Sequence, residues 1–197
     1  MTFDYENFYC QQGASVRGPN ANAGVRAVVE IPTTQPVSYW IGLSVIGGLW
    51  AQVGTSAGKQ FYQVWRGGAK VSPNSSSNKK VGAGPHEFSI EYKNRTIWTL
   101  AIDGHPVTSY DMEGTAGSAN FDALSEGCVD NQPVVLFRDF CFKVNGLWLP
   151  AQSASASHTS SVHPIGVAGH LQDATIAPVA FKLGKGIAVQ PNGTQLW

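Results

Sequence analysis

The apolar residues of this chain fall on alternate positions, in short runs, and the three-to-four spacing of an amphipathic helix is almost absent. Residues 86–93 show the pattern well: Phe88, Ile90 and Tyr92 belong to one side, Glu87, Ser89 and Glu91 to the other. Such a run can bury one face of a pleated strand but cannot present one stripe of a helix. Similar runs, rich in β-branched and aromatic residues and bounded by Gly, Pro, Asn and Ser, predict strands over 24–31, 39–45, 49–55, 60–65, 86–93, 97–102, 134–137, 140–144 and 180–183. Many short strands without helices must bury their apolar faces against each other. The expected fold is therefore all-β, a two-sheet antiparallel jelly-roll sandwich with a C-terminal extension.

A chain of 197 residues suits one domain, and 43% hydrophobic residues can fill its core. Asn94-Arg95 between two alternating runs reads as a tight hairpin turn, and Ile46-Gly47-Gly48 as the link between the second and third runs. The polar stretch 72–80 reads as a loop. The low-complexity stretch 152–161, QSASASHTSS, reads as a linker. It separates a sandwich core, 1–151, from an extension, 162–197, that is too short for its own core. The extension is expected to pack on the core or on a neighbouring copy, forming a homo-oligomer through this arm. Val179, Phe181 and Leu183 alternate there as a strand would.

Charge narrows the partners. Thirteen Lys and Arg balance thirteen Asp and Glu, so the surplus of cations that nucleic acid or an anionic membrane requires is missing. No run approaches the roughly 20 apolar residues of a membrane span. The opening MTFDYENFYCQQG is acidic and has no apolar h-region, so no signal peptide is expected, although the low charge suits extracellular, cell-surface or virion proteins. Three cysteines leave at least one thiol unpaired, and both a Cys128–Cys141 bridge and buried free thiols fit the sequence. His158, His163 and His170 have no carboxylate or Cys at a metal-binding spacing, so neither metal nor cofactor is expected. Glu87 and Glu91 share a strand face and read as solvated. Asn74, Asn94 and Asn192 begin sequons that act only in a glycosylating secretory path.

The most informative stretch is VVEIPTTQPVSYWIGLSVIGGLWAQVGTSAGKQFYQVW, residues 28–65. In its LWAQVGT strand, Leu49, Ala51 and Val53 take one face and Trp50 and Gln52 the other. A Gln beside a Trp on a strand face suits a groove, where its amide can bond a peptide or a sugar hydroxyl; it equally suits an exposed sheet face. The order Val29-Glu30-Ile31-Pro32, Tyr39-Trp40-Ile41-Gly42-Leu43, Ala51-Gln52-Val53-Gly54-Thr55, then aromatics ending in Trp65 resembles the glutamic peptidases (eqolisins), their divergent bacterial branch above all. Val81-Gly82-Ala83-Gly84, the strand from Trp98 to Asp103, and Phe137-Arg138-Asp139-Phe140 continue the resemblance, which spans roughly 24–144.

The resemblance implies a concanavalin A-like jelly roll with a Gln and a Glu facing each other across a concave sheet. Gln52 matches the Gln, and Glu126 in Ala123-Leu124-Ser125-Glu126-Gly127 is the candidate Glu, with Asp122 and Asp130 as other alignments. It implies a metal-independent endopeptidase: the carboxylate takes a proton from the attacking water, and the Gln amide holds the oxyanion. Trp40, Trp50, Tyr62, Trp65 and Trp98 are the expected substrate-binding aromatics. The chain departs from the family at Tyr62-Gln63-Val64-Trp65-Arg66, where Gln63 replaces a Glu, and at the Glu126 strand, which copies the family poorly. Two other classes therefore stand beside the peptidase: a structural subunit of a surface, filament or virion assembly, and a carbohydrate-binding module stacking sugars on its tryptophans.

Overall fold

The computed structural model of the chain describes residues 11–17, 22–35, 38–45, 49–66, 69–70, 75–93, 96–111, 119–126, 135–150, 154–161, 169–170, 174–176 and 181–183. Its strands begin with β1 (Gln11–Arg17), β2 (Asn22–Ile31), β3 (Ser38–Val45), β4 (Leu49–Ser56), β5 (Lys59–Arg66) and β6 (Ala69–Lys70). They continue with β7 (Ser75–Lys80), β8 (Gly84–Lys93), β9 (Ile97–Ile102), β10 (His105–Asp111), β11 (Ala119–Glu126) and β12 (Val135–Val144). The last are β13 (Leu147–Pro150), β14 (Ala154–Ser161), β15 (Gly169–His170), β16 (Ala174–Ile176) and β17 (Phe181–Leu183). Among the described residues there is no helix, and therefore none long and apolar enough to cross a membrane.

The strands form two antiparallel sheets. The first runs β15-β14-β1-β11-β3-β4-β5-β6, with β16 beside β14 and β7 beside β5. The second runs β10-β9-β8-β2-β12-β13, with β17 also on β12. Their inner faces meet in one core: Ile41, Leu43, Ala51, Val53 and Val64 from the first sheet oppose Val25, Val29, Phe88, Ile90, Leu100 and Phe137 from the second, all fully buried. Period two explains this directly, since every second residue of each strand faces inward. The expected sandwich is the observed fold.

The differences from the sequence reading have local causes. The expected strands 134–137 and 140–144 are one strand, β12, interrupted by a bulge: the register with β2 shifts between Arg138 and Cys141, and Asp139 has φ 57°. One extra residue reverses the alternation, so Phe137 and Phe140 both face the core. The stretch 72–80 contains β7, paired with β5, and 152–161 contains β14, paired along β1 from Gln11↔Ser161 to Val16↔Ala156. The C-terminal strand lies on β12 (Val135↔Leu183, Phe137↔Phe181). The turn residues 46–48 and 94–95 lie outside the described residues, though the strands they join do pair, Val45↔Leu49 and Lys93↔Ile97. Cys141 is a free thiol, and Cys10 and Cys128 lie outside the described residues.

Three two-residue hairpins share one geometry. Ala57-Gly58, Asp103-Gly104 and Asn145-Gly146 have φ of 48° and 71°, 52° and 72°, and 51° and 83°. Two successive positive φ values make the turn that matches strand twist. Asp and Asn tolerate that region; Ala does not, and the strain is of order 1–2 kcal/mol. Ala57→Gly or Ala57→Asn is therefore expected to raise stability by about 0.5–1 kcal/mol, read as a shifted midpoint in urea. The core makes a second expectation. Burial without a hydrogen-bond partner pushes the phenols of Tyr39 and Tyr92 up to about 12. Both states are protonated below about pH 10, so the full stability is present there; above it the unfolded chain ionises first. Stability should fall between about pH 10 and 12, by up to roughly 2–3 kcal/mol per tyrosine, in urea titrations across that range.

Candidate active site

The face of the first sheet turned away from the core carries the candidate site. Cross-strand register assembles it in rows. Gln63, Gln52, Gly42 and Asp122 lie opposite one another on β5, β4, β3 and β11. On one side stands the row Trp65, Trp50, Ser44 and Asn120; on the other, Phe61, Gly54, Trp40 and Leu124. Residues directly opposite in an antiparallel sheet share a face. The rows are thus the complement of the buried Ile41, Val53 and Val64.

Two glycines shape this face, and the indoles close over Gly42, which lies opposite Gln52. A Cβ at Gly54 would collide with the Tyr39 carbonyl oxygen and Trp40 Cα, so only glycine allows β3 and β4 to approach there. A Cβ at Gly42 would lie 3.0 Å from Trp40 Cζ3 and 3.2 Å from Trp50 Nε1. The indoles thus occupy the room that a side chain at Gly42 would need. Trp40 meets Trp50 edge-to-face, centroids 5.6 Å apart at 79°, and Trp50 meets Trp65 at 6.1 Å and 55°. Trp65 Nε1 donates to Gln63 Oε1 at 3.2 Å. Gln52, opposite Gly42, is 2% exposed, and its Oε1 has no hydrogen-bond partner among the described residues. A buried polar atom left unpaired costs about 1–3 kcal/mol, so its presence calls for a ligand or water.

The residues singled out in the sequence divide into two groups. Gln52, Trp40, Trp50 and Trp65 come together on this face. Tyr62 and Trp98 do not. Tyr62 pairs opposite Val53 and packs against the core, while Trp98, 2% exposed, stacks on Tyr92 inside the second sheet at 5.5 Å. Their strand parity sends them inward. Register sets Glu126 opposite Ser38, four residues along β11 from Asp122 and so about 13 Å from the Gln52 row. The residue in line with Gln52 is Asp122, across Gly42. Gln63 joins the site unannounced, although its alternation with Trp65 on one strand was a usable signal. No group of three or more His, Cys, Asp or Glu that could hold a metal occurs among the described residues; His163 lies outside them.

The fold is shared with peptidases of known structure. Scytalido-glutamic peptidase bound to a peptide-based transition-state analogue superposes with a TM-score of 0.57 over 88% of this chain and 96% of that one, at 15% identity. SCP-B, a member of the eqolisin family in complex with the tripeptide Ala-Ile-His, gives 0.53 over the same shares at 14% identity. At such identities the likeness is one of fold. No protein-family model matches the chain, and no curated protein matches it in sequence.

The orphaned amide yields a prediction. Gln52→Met keeps the volume and removes the unpaired oxygen, so it should stabilise the free protein by about 1 kcal/mol in urea denaturation. A loss of stability would mean that the amide is paired in solution.

Proposed function

We propose that the outer face of the first sheet is the groove of a metal-independent endopeptidase in which Gln52 and Asp122 act together. One observation carries this reading: the buried, unpartnered Gln52 amide oxygen stands in one row with a carboxylate residue, across Gly42, which has no side chain. Two strand spacings separate their Cα atoms by about 10 Å, a span that a water and a peptide carbonyl could bridge. Asp122 takes a proton from that water as its oxygen bonds to the carbonyl carbon. The Gln52 amide N–H holds the oxyanion, and Oε1 accepts a hydrogen bond from the water or a substrate N–H. Asp122 then returns the proton to the amine nitrogen as the C–N bond breaks. The shared fold supports the reading. The tryptophans support a peptide over a sugar: at 79° and 55° to one another they form no flat stacking platform.

The test is cleavage of a peptide mixture at acidic pH, where the resemblance places activity. Asp122→Asn should lower kcat by about 10²-fold or more. Gln52→Ala should lower it by about 10²–10³-fold, the usual loss for one oxyanion donor. Glu126→Gln should remain near the parent. Full turnover by Asp122→Asn, or abolition by Glu126→Gln instead, overturns the Asp122 assignment. No cleavage by the parent chain overturns the peptidase.

A further inference from the structure

The same face ends in a row of different character. Lys80, Lys59 and Ser56 lie opposite one another on β7, β5 and β4, Ser38 on β3 is hydrogen-bonded to Ser56, and Glu126 on β11 lies opposite Ser38. Ser56 is in register with Lys59 and follows Gln52 on β4 at an even spacing, so this row shares the face of the Gln52 row. Lys59 and Lys80 are a directly opposed pair of like charges, both exposed. Such a pair works against the sheet. No hydrogen bond or ion pair to either lysine occurs among the described residues. Next to them Ser38 Oγ donates to Ser56 Oγ at 2.8 Å. That leaves the Ser56 hydroxyl proton free to donate onward. Among the described side chains the two ammonium groups and the hydroxyl donor have no acceptor, and Glu126 stands at the far end of the row, three strands from Lys59; the lysine end forms a place for an anion.

We infer that Lys59, Lys80 and Ser56 form a carboxylate subsite of the groove, which selects peptides bearing an acidic group about four residues from the bond cleaved. This rests on the peptidase reading for its scissile bond, though not for the binding itself. The spacing follows from the sheet: Gln52 and Ser56 are four residues apart, about 13 Å, the length of four residues of an extended peptide lying along the strands. The carboxylate has two sources, a Glu side chain within the peptide or the peptide's own C-terminus.

The experiment compares C-terminally amidated peptides that differ only in Glu or Gln at that position, together with a shorter peptide ending there in a free carboxylate. Each is followed by cleavage and, with fluorescent label, by anisotropy on the full chain. The Glu peptide should bind about 5–10-fold more tightly than the Gln peptide at low salt, the range of two exposed charge pairs. The difference should fade at high ionic strength. The double variant Lys59→Gln, Lys80→Gln should erase it while kcat on the Gln peptide is unchanged. A preference only for the free carboxylate names the C-terminus as the source; a preference for internal Glu names the side chain. Equal affinity for Glu and Gln peptides together with no gain from a free carboxylate, or a preference that survives the double variant, overturns the subsite. A binding preference without cleavage leaves the subsite standing and overturns the peptidase reading alone.

Discussion

The pairing of β3 with β4 fixes everything on the candidate face. Ile41 opposite Val53 and Leu43 opposite Ala51 are fully buried, and a slip by one residue cannot keep all four inside. A slip by one residue would turn Trp50 and Gln52 into the core and send Ala51 and Val53 to the surface. Burying the four apolar residues favours the observed register by several kcal/mol, at roughly 25 cal/mol per Å². The core thereby positions the site: Gln52 faces outward because its neighbours must face inward. Gly54 tightens this arrangement by letting the β3 backbone approach, which brings Trp40 over the adjoining row.

How much of this was legible in the sequence depended on the range of the information needed. Alternation is local, so β2, β3, β4, β5, β8 and β9 could be read directly. Asp103-Gly104 and Asn145-Gly146 are also local signals, for the hairpins leading into β10 and β13. β14 was hidden for a different reason. Ser and Ala carry almost no strand preference, and its place comes from pairing with β1, nearly 150 residues away in the chain. Tyr62 and Trp98 show that an aromatic takes the face its strand parity gives it: Tyr62 goes with buried Val64, and Trp98 with buried Leu100 and Ile102. The choice between Asp122 and Glu126 is the extreme case. Both stand at even positions of β11 and belong to one face, so only the register with β3 distinguishes them. Register between strands distant in sequence is set by the whole sheet and by no local motif.

Gln52 sets stability against use. A fold selected for stability alone would fill its place with an apolar side chain, because an unpaired buried amide oxygen is among the costlier defects. The surrounding packing is good: three indoles in edge and tilted contact, two glycines fitted beneath them, and a hydrogen bond from Trp65 to Gln63. A defect held in place by well-ordered neighbours is how binding sites store an interaction for a ligand, and on the proposed reading rigid support keeps the amide aimed at the substrate.

The two outer faces of the sandwich treat charge in opposite ways, which further separates scaffold from site. On the second sheet cations meet anions across strands: Arg26 with Glu87 at 3.3 Å, Arg138 with Glu30 at 2.7 Å, Lys143 with Glu91. The hydrogen bond to Glu30 holds the Arg138 guanidinium above its ordinary range, and the bulge at Asp139 keeps both Arg138 and Lys143 on that face. Trp148 lies against Arg26 and Lys143, 4.9 and 5.3 Å from its ring centroid. Each exposed pair contributes only about 0.2–1 kcal/mol, but together they leave that face electrically closed. The first sheet has amides and indoles at its centre and two opposed lysines at its margin. Among the described side chains no such ion pair occurs on the outer face of the first sheet, where Lys59 and Lys80 stand opposed. The inferred carboxylate subsite rests on this contrast: cross-strand pairing on one face, an opposed like-charge pair on the other.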